Sequence, residues 1–233
     1  MPHVDRSLSR TAALRLAAGA AASLSLGRLP AIAAAPAATS VPPAEALARL
    51  VAGNKRFVAG TLSNQDGVTE RRLALTGHQA PFATILSCSD SRVPPELVFD
   101  QNVGDLFVFR DAGNFVSDNV LGTLEYGYGA LGVKLIVVLG HESCGAIAAT
   151  YDAVAENKPL PPNLDVLQHA IAPGIASVVA AKGSKQEAVV ANVRAQAEKL
   201  KASPVLGPAI ASGDCKVVAA EYRFHTGVID FLK

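Results

Sequence analysis

Three residues of this 233-residue chain pair metal-binding donor atoms with the ends of apolar runs: Cys88, His141 and Cys144. Two thiolates and one imidazole form a donor set typical of catalytic zinc sites, where three protein ligands leave a fourth position for water. The long interval between Cys88 and the His141/Cys144 pair departs from zinc fingers, whose ligands come in two close-spaced pairs. Asp90 and Arg92 follow Cys88 at alternate positions in C-S-D-S-R-V. A carboxylate there can accept the hydrogen of a nucleophilic water and aim its lone pair, and a guanidinium beside it holds that carboxylate ionised and oriented. Zinc lowers the pKa of bound water from ~15.7 towards ~7. Two thiolates cancel the ion's double charge, so the water should be less acidic than at an all-histidine site.

These residues need elements that bring them together. Ala83–Cys88 (A-T-I-L-S-C) and Leu135–Leu139 (L-I-V-V-L) are short apolar runs of the kind buried in parallel sheets. Each ends where the polar residues begin, and the C-terminal edge of such a sheet is where ligands bind. Leu106–Arg110 reads as a further strand, and Asp118–Leu131 as a helix before the Leu135 strand. Strand, helix, strand, helix, strand implies a parallel sheet with right-handed crossovers. The fold class is therefore α/β: a mostly parallel central sheet flanked by helices, with an N-terminal helical arm over Pro42–Val58 and a C-terminal hairpin. Lys216–Phe224 and Val228–Leu232, joined by a turn, form that hairpin or a sheet edge. Thr69 is the expected cap of a short helix, and Pro173-Gly174 is expected to break or kink the helix begun at Asp165. The arm is expected to pack on a neighbouring subunit.

Half of the residues are apolar, enough for a full core in one domain. Formal net charge is +1 and no basic run occurs, which argues against nucleic acid as a partner. Three cysteines are too few for a disulfide scaffold, and Cys215 reads as an ordinary strand residue. Residues 1–36 read as an export signal. Arg6, Arg10 and Arg15 precede the apolar stretch Leu16–Leu26, which is too short to span a bilayer, and Ala31-Ile32-Ala33 offers an A-x-A cleavage site. Residues 37–233 then form the catalytic domain, exported and periplasmic, with the Sec or Tat route left open. The leader's +3 leaves about −2 on the remainder. No later segment has the ~20 apolar residues of a membrane helix.

The pairing of C-S-D-S-R-V at Cys88–Val93 with H-x-x-C-G at His141–Gly145 resembles the β-class carbonic anhydrases, and the match extends from about Ala46 to Leu232. The resemblance implies reversible hydration of carbon dioxide to bicarbonate and a proton by zinc-bound hydroxide. It implies one zinc per chain on Cys88, His141 and Cys144, and an Asp90–Arg92 dyad. It also implies assembly as a homodimer or larger. In the family that Asp can take the fourth zinc position in a closed state. Switching members use a bicarbonate-binding set that includes a Trp, and this chain has none. It is similar instead to the open-site, plant-like subgroup, in which Gln79, Phe107, Tyr126 and Gly145 would line a narrow cleft between two subunits. Asp111 stands where Asn is commoner in the family, and Glu142 places an acid beside a ligand.

Other readings stay open at this level. One is a zinc hydrolase of carbonyl sulfide or carbon disulfide on the same scaffold. Another is a non-catalytic protein with a structural zinc. A Cys-nucleophile phosphatase needs an Arg six positions after its Cys, where this chain has Pro94; an H-E-x-x-H protease needs His at position 145, which is Gly.

Overall fold

The computed structural model describes residues 41–64 and 66–232; the expected export signal lies outside them. Five strands form one sheet in the order β2-β1-β3-β4-β5. They are β1 (Ala83–Cys88), β2 (Leu106–Asp111), β3 (Leu135–His141), β4 (Lys216–Tyr222) and β5 (Ile229–Phe231). The first four run parallel, and β5 returns antiparallel to β4 as the expected hairpin. Every residue of β1 and β3 is buried, which is why both read as unbroken apolar runs. The chain passes from β1 outward to β2, then returns to place β3 on the other side of β1. That reversal opens a crevice between the ends of β1 and β3.

Side chains alternate across the sheet and divide the core in two. Leu86, Ile136 and Val138 face α4 (Asp118–Gly129), α5 (Gly145–Ala155), α6 (Asp165–Ala180) and α7 (Lys185–Lys199). Ala83, Ile85, Leu135, Val137 and Leu139 face α1 (Pro43–Ala59) and the short α3 (Pro95–Val98). Truncating a fully buried leucine such as Leu86 or Leu139 should cost about 2–5 kcal/mol.

Helix α1 packs one face within its own chain. Ala46 and Leu50 are fully buried. Asn54 Nδ2 donates to Val98 O at 3.0 Å and Gly227 O at 2.9 Å, and Ile229 N donates to Asn54 Oδ1 at 2.9 Å. A Cβ on Gly53 would fall 1.7 Å from Phe99 O, so only glycine lets α1 approach so closely. Two local expectations are not borne out, the Thr69 cap and a break at Pro173. The helix expected to be capped by Thr69 begins at Val68 after a left-handed Gly67, with no side-chain cap. Pro173 lies inside a continuous α6. Ile171 and Ile175 flank it and are fully buried, so packing offsets the ~3 kcal/mol that proline costs in a helix interior. The last helix, α8 (Leu206–Ser212), begins after Val205, and the Ser203 Oγ accepts from Val205 N and Leu206 N just ahead of it.

Candidate metal centre

The last residues of β1, β2 and β3 are Cys88, Asp111 and His141, so the sheet delivers all three to one edge. Gly140 precedes His141 because a Cβ there would lie 2.3 Å from Val193 Cγ2 of α7. After His141 the chain turns through Ser143 in the left-handed region (φ 56°), and Cys144 becomes the N-cap residue of α5. Donor atoms of Cys88, His141 and Cys144 lie within 4.8 Å of one another, and all three residues are buried. The two sulfurs are 4.0 Å apart. Thiolates ~2.3 Å from a shared tetrahedral ion would stand just under ~4 Å apart, so the set suits zinc without rearrangement. His141 Nδ1 lies 2.9 Å from the Glu142 carbonyl, which assigns its proton there and leaves the Nε2 lone pair facing the sulfurs. That Nε2 is buried with no hydrogen-bond partner, as a ligand awaiting an ion would be.

Electrostatics agree with the donor set. The Cys88 thiol is pulled well below the ordinary thiol range, chiefly by the hydrogen bond from Cys144, with help from His141 and the Gly113 amide against the opposing effect of burial. Cys144 is pushed upward by the same pairing and by burial, while the Ala146 and Ile147 amides at the start of α5 favour its thiolate. Two thiolates buried side by side require compensating positive charge, which a dication would supply. Cys215 stands apart as a buried free thiol, raised to about 11 by burial.

Asp90 and Arg92 stand at the mouth of the site. Arg92 Nε donates to Asp90 Oδ1 at 2.9 Å and Nη2 to Oδ2 at 2.7 Å, and the Arg92 amide adds a third bond to Oδ1 at 2.9 Å. These bonds hold the Asp90 carboxyl well below the usual carboxylate range. Asp90 Oδ2 is also 3.9 Å from His141 Nε2. Two residues missed in the sequence complete the mouth. Arg110, closing the apolar run of β2, donates to Cys88 O at 2.9 Å and Asp90 O at 2.6 Å, fixing the backbone between ligand and carboxylate. Phe224, just past β4, lies 3.9 Å beneath the Arg92 guanidinium and 5.1 Å from the His141 ring centroid. A cation ending an apolar strand was a readable signal for Arg110. Phe224 left none, because its neighbours are far away in sequence.

The expected substrate-lining residues fall into two places. Gly145 opens α5 beside Cys144, and a Cβ added there meets nothing within 4 Å. Phe107 and Tyr126 pair with ring centroids 6.1 Å apart. Gln79 and Tyr126 line a groove of about 430 Å³ with Leu75, Thr76, Gly77, His78 and Leu131. No metal-site residue lines that groove. The β1–β2 register pairs Phe107 with Thr84 and Asp111 with Cys88, so Phe107 sits four strand residues, ~13 Å, from the ligand end. Within one chain these aromatics and Gln79 therefore stand away from Cys88. Asp111, the departure noted at the strand end, accepts from Phe115 N at 3.1 Å, and burial raises it to about 7.

An open parallel α/β sheet with a Cys2His donor set at the edge between β1 and β3 defines the class: a protein built around a candidate metal centre. A family model described as "Carbonic anhydrase" matches residues 83–229. The carbonic anhydrase of Mycolicibacterium smegmatis is 48% identical over 116 residues, covering 50% of this chain and 56% of that one. The chain thus spans about half the length of this curated relative. Among solved structures, a Coccomyxa β-carbonic anhydrase in complex with acetazolamide superposes with TM-score 0.62 and 32% identity, over 72% of this chain and 78% of that one. One of two tetrameric β-carbonic anhydrases from Sordaria macrospora superposes at 0.60 and 29%, over 70% and 86%. This chain belongs to the β-carbonic anhydrase family.

Proposed function

We propose that the protein is a zinc-dependent carbonic anhydrase that interconverts carbon dioxide and water with bicarbonate and a proton. The observation carrying this reading is the convergence of Cys88, His141 and Cys144 within 4.8 Å, with the Arg92-held Asp90 carboxylate 3.9 Å from His141 Nε2. Zinc held by these three residues would supply Lewis acidity that makes water a nucleophile near neutral pH. The protein's own contribution is orientation. Asp90, kept anionic, accepts the hydrogen of the attacking oxygen and directs its lone pair at the carbon of carbon dioxide. Arg92 prevents that carboxylate from turning away, and Arg110 fixes the peptide beneath it. The buried His141 ring keeps its tautomer through Glu142 O. Asp90, engaged on both oxygens by Arg92, supports the open-site reading, in which it does not ligate zinc.

Gln79, Phe107 and Tyr126 serve substrate in this proposal from a second copy of the chain, since Phe107 stands four residues from the ligand end of β2 and packs on Tyr126, and Tyr126 shares with Gln79 a groove that no metal-site residue lines. The tetrameric Sordaria relatives support an assembly of at least two copies. Export rests on the arginines and apolar stretch of residues 1–36, and would place the enzyme in a periplasm. No helix among the described residues is long and apolar enough to cross a membrane.

The test is stopped-flow carbon dioxide hydration by the purified protein, with zinc measured on the same sample. One zinc per chain with activity, both lost in Cys88→Ser, is the expected result. Full zinc without hydration from neutral to mildly alkaline pH would overturn it and turn attention to carbonyl sulfide and carbon disulfide.

A further inference from the structure

We propose that Asn192, Gln196 and Lys199 of α7 are positioning residues for the metal centre, acting through the 111–116 loop to set the Gly113 N–H on the Cys88 sulfur. The proposal rests on the reading of Cys88 as a metal ligand. The Gly113 amide donates to Cys88 Sγ at 3.4 Å, and the carbonyl of the same residue accepts from Asn192 Nδ2 at 3.0 Å. One glycine is thus held from opposite ends by the ligand and by the helix. Three residues on, Val116 is gripped on both backbone atoms. Its N–H donates to Gln196 Oε1 at 2.9 Å, and its carbonyl accepts from Lys199 Nζ at 2.7 Å. Gln196 Nε2 in turn donates to Asn192 Oδ1 at 3.1 Å and Ala170 O at 3.2 Å, tying the ladder to α6.

The spacing 192, 196, 199 puts these side chains on one face of α7. Asn192 and Gln196 are 0% and 2% exposed. Buried amides of this kind are retained only where their hydrogen bonds are made, and here every bond points at the loop, at α6 or at each other. The loop has no freedom to compensate. Gly113 has φ +91°, and a Cβ there would lie 2.7 Å from Ile171 Cδ1 and 3.3 Å from Ala146 Cβ. Its amide therefore points where α7 puts it. An N–H aimed at a ligand sulfur stabilises thiolate charge and tempers its donation to the ion, the role that partners behind the ligands play in other metal sites.

Cobalt(II) reports on the sulfur directly, through its sulfur-to-metal charge-transfer absorption. In full-length cobalt-substituted protein, Asn192→Leu and Lys199→Met should move that band to lower energy. They should also weaken zinc affinity about tenfold, as loss of such partners does elsewhere. Lys199→Arg should restore both. Leu50→Ala, which opens a cavity in the opposite half of the core from the loop, should move neither, so general destabilisation would not mimic the effect. Lys199 is exposed, so Lys199→Met keeps the test alive if Asn192→Leu fails to fold. An unchanged band and affinity in the variants, beside a wild-type band, would overturn the proposal alone. A wild type with no sulfur-to-cobalt absorption would overturn the reading of Cys88, and this proposal with it.

Discussion

Asp90 turns both carboxylate oxygens to Arg92 while one of them stays 3.9 Å from His141 Nε2. In the proposed function the carboxylate is close enough to the donor set to join it, and the guanidinium holds it away. Arg92 would thereby select between two uses of the same side chain. Removing it should expose the other use.

Arg92→Ala should leave the zinc content intact and lower kcat/KM by at least tenfold, because Asp90 loses its orientation. X-ray absorption on the zinc-loaded variant should find a carboxylate oxygen in place of water. Arg92→Lys should be only partly restorative, since a lysine cannot make the forked contact. Wild-type activity in Arg92→Ala would remove Arg92 from the mechanism.

Phe224 supports Arg92 from below at 3.9 Å and packs on the His141 ring. Replacing Phe224 with Leu keeps volume but removes the cation–π contact, worth about 0.5–1 kcal/mol at an exposed cation. The expected outcome is a several-fold fall in hydration rate with unchanged zinc affinity. A loss of zinc instead would place Phe224 with the ligands and not with the dyad.

Gln79 offers a test of shared sites. A Gln79→Leu chain and a Cys88→Ser chain should each be impaired alone. After subunit exchange, random pairing in a two-fold dimer would give about a quarter of the sites an intact set from two copies. Activity above the sum of the separate preparations is expected. No gain on exchange would mean that each chain uses its own groove, or none.

Glu221 should shape the pH dependence of stability. It is fully buried on β4, held by Gln186 and 3.0 Å from Arg223 Nη2, and burial raises its pKa above the ordinary 4.5. Above pH 4.5 the unfolded chain has lost this proton and the native state still holds it. Stability therefore falls as pH rises through that window and levels off above the folded pKa. Glu221→Gln should be more stable than wild type, by a margin that grows with pH and then holds constant. Melting temperatures across pH measure it, with ~1 kcal/mol showing as roughly 2–4 °C. A margin that does not change with pH would show that Glu221 is ionised throughout.

The parts of this protein legible in its sequence are those governed by local pattern. β1 and β3 are buried on both faces and so appear as apolar runs; their ends, where Cys88 and His141 stand, are equally plain. The turn between β4 and β5 also follows local rules. What was illegible is long-range. Asn192 meets Gly113 and Lys199 meets Val116 across some eighty positions, and nothing in the periodicity of α7 signals those partners. Thr69 was misread because a left-handed Gly67 starts the helix one residue earlier. Pro173 was misread because two buried isoleucines override it.

The sheet order has a consequence for how long an ion stays. Cys88 and His141 end strands that are hydrogen-bonded on both sides, the part of an open sheet that yields last to local fluctuation. Cys144 instead follows a turn with Ser143 in a left-handed conformation and opens α5. Two donors thus sit on strand ends and the third on the passage from turn to helix. Residence time should be governed by how often that turn lifts, and scarcely at all by the stability of the domain that carries it.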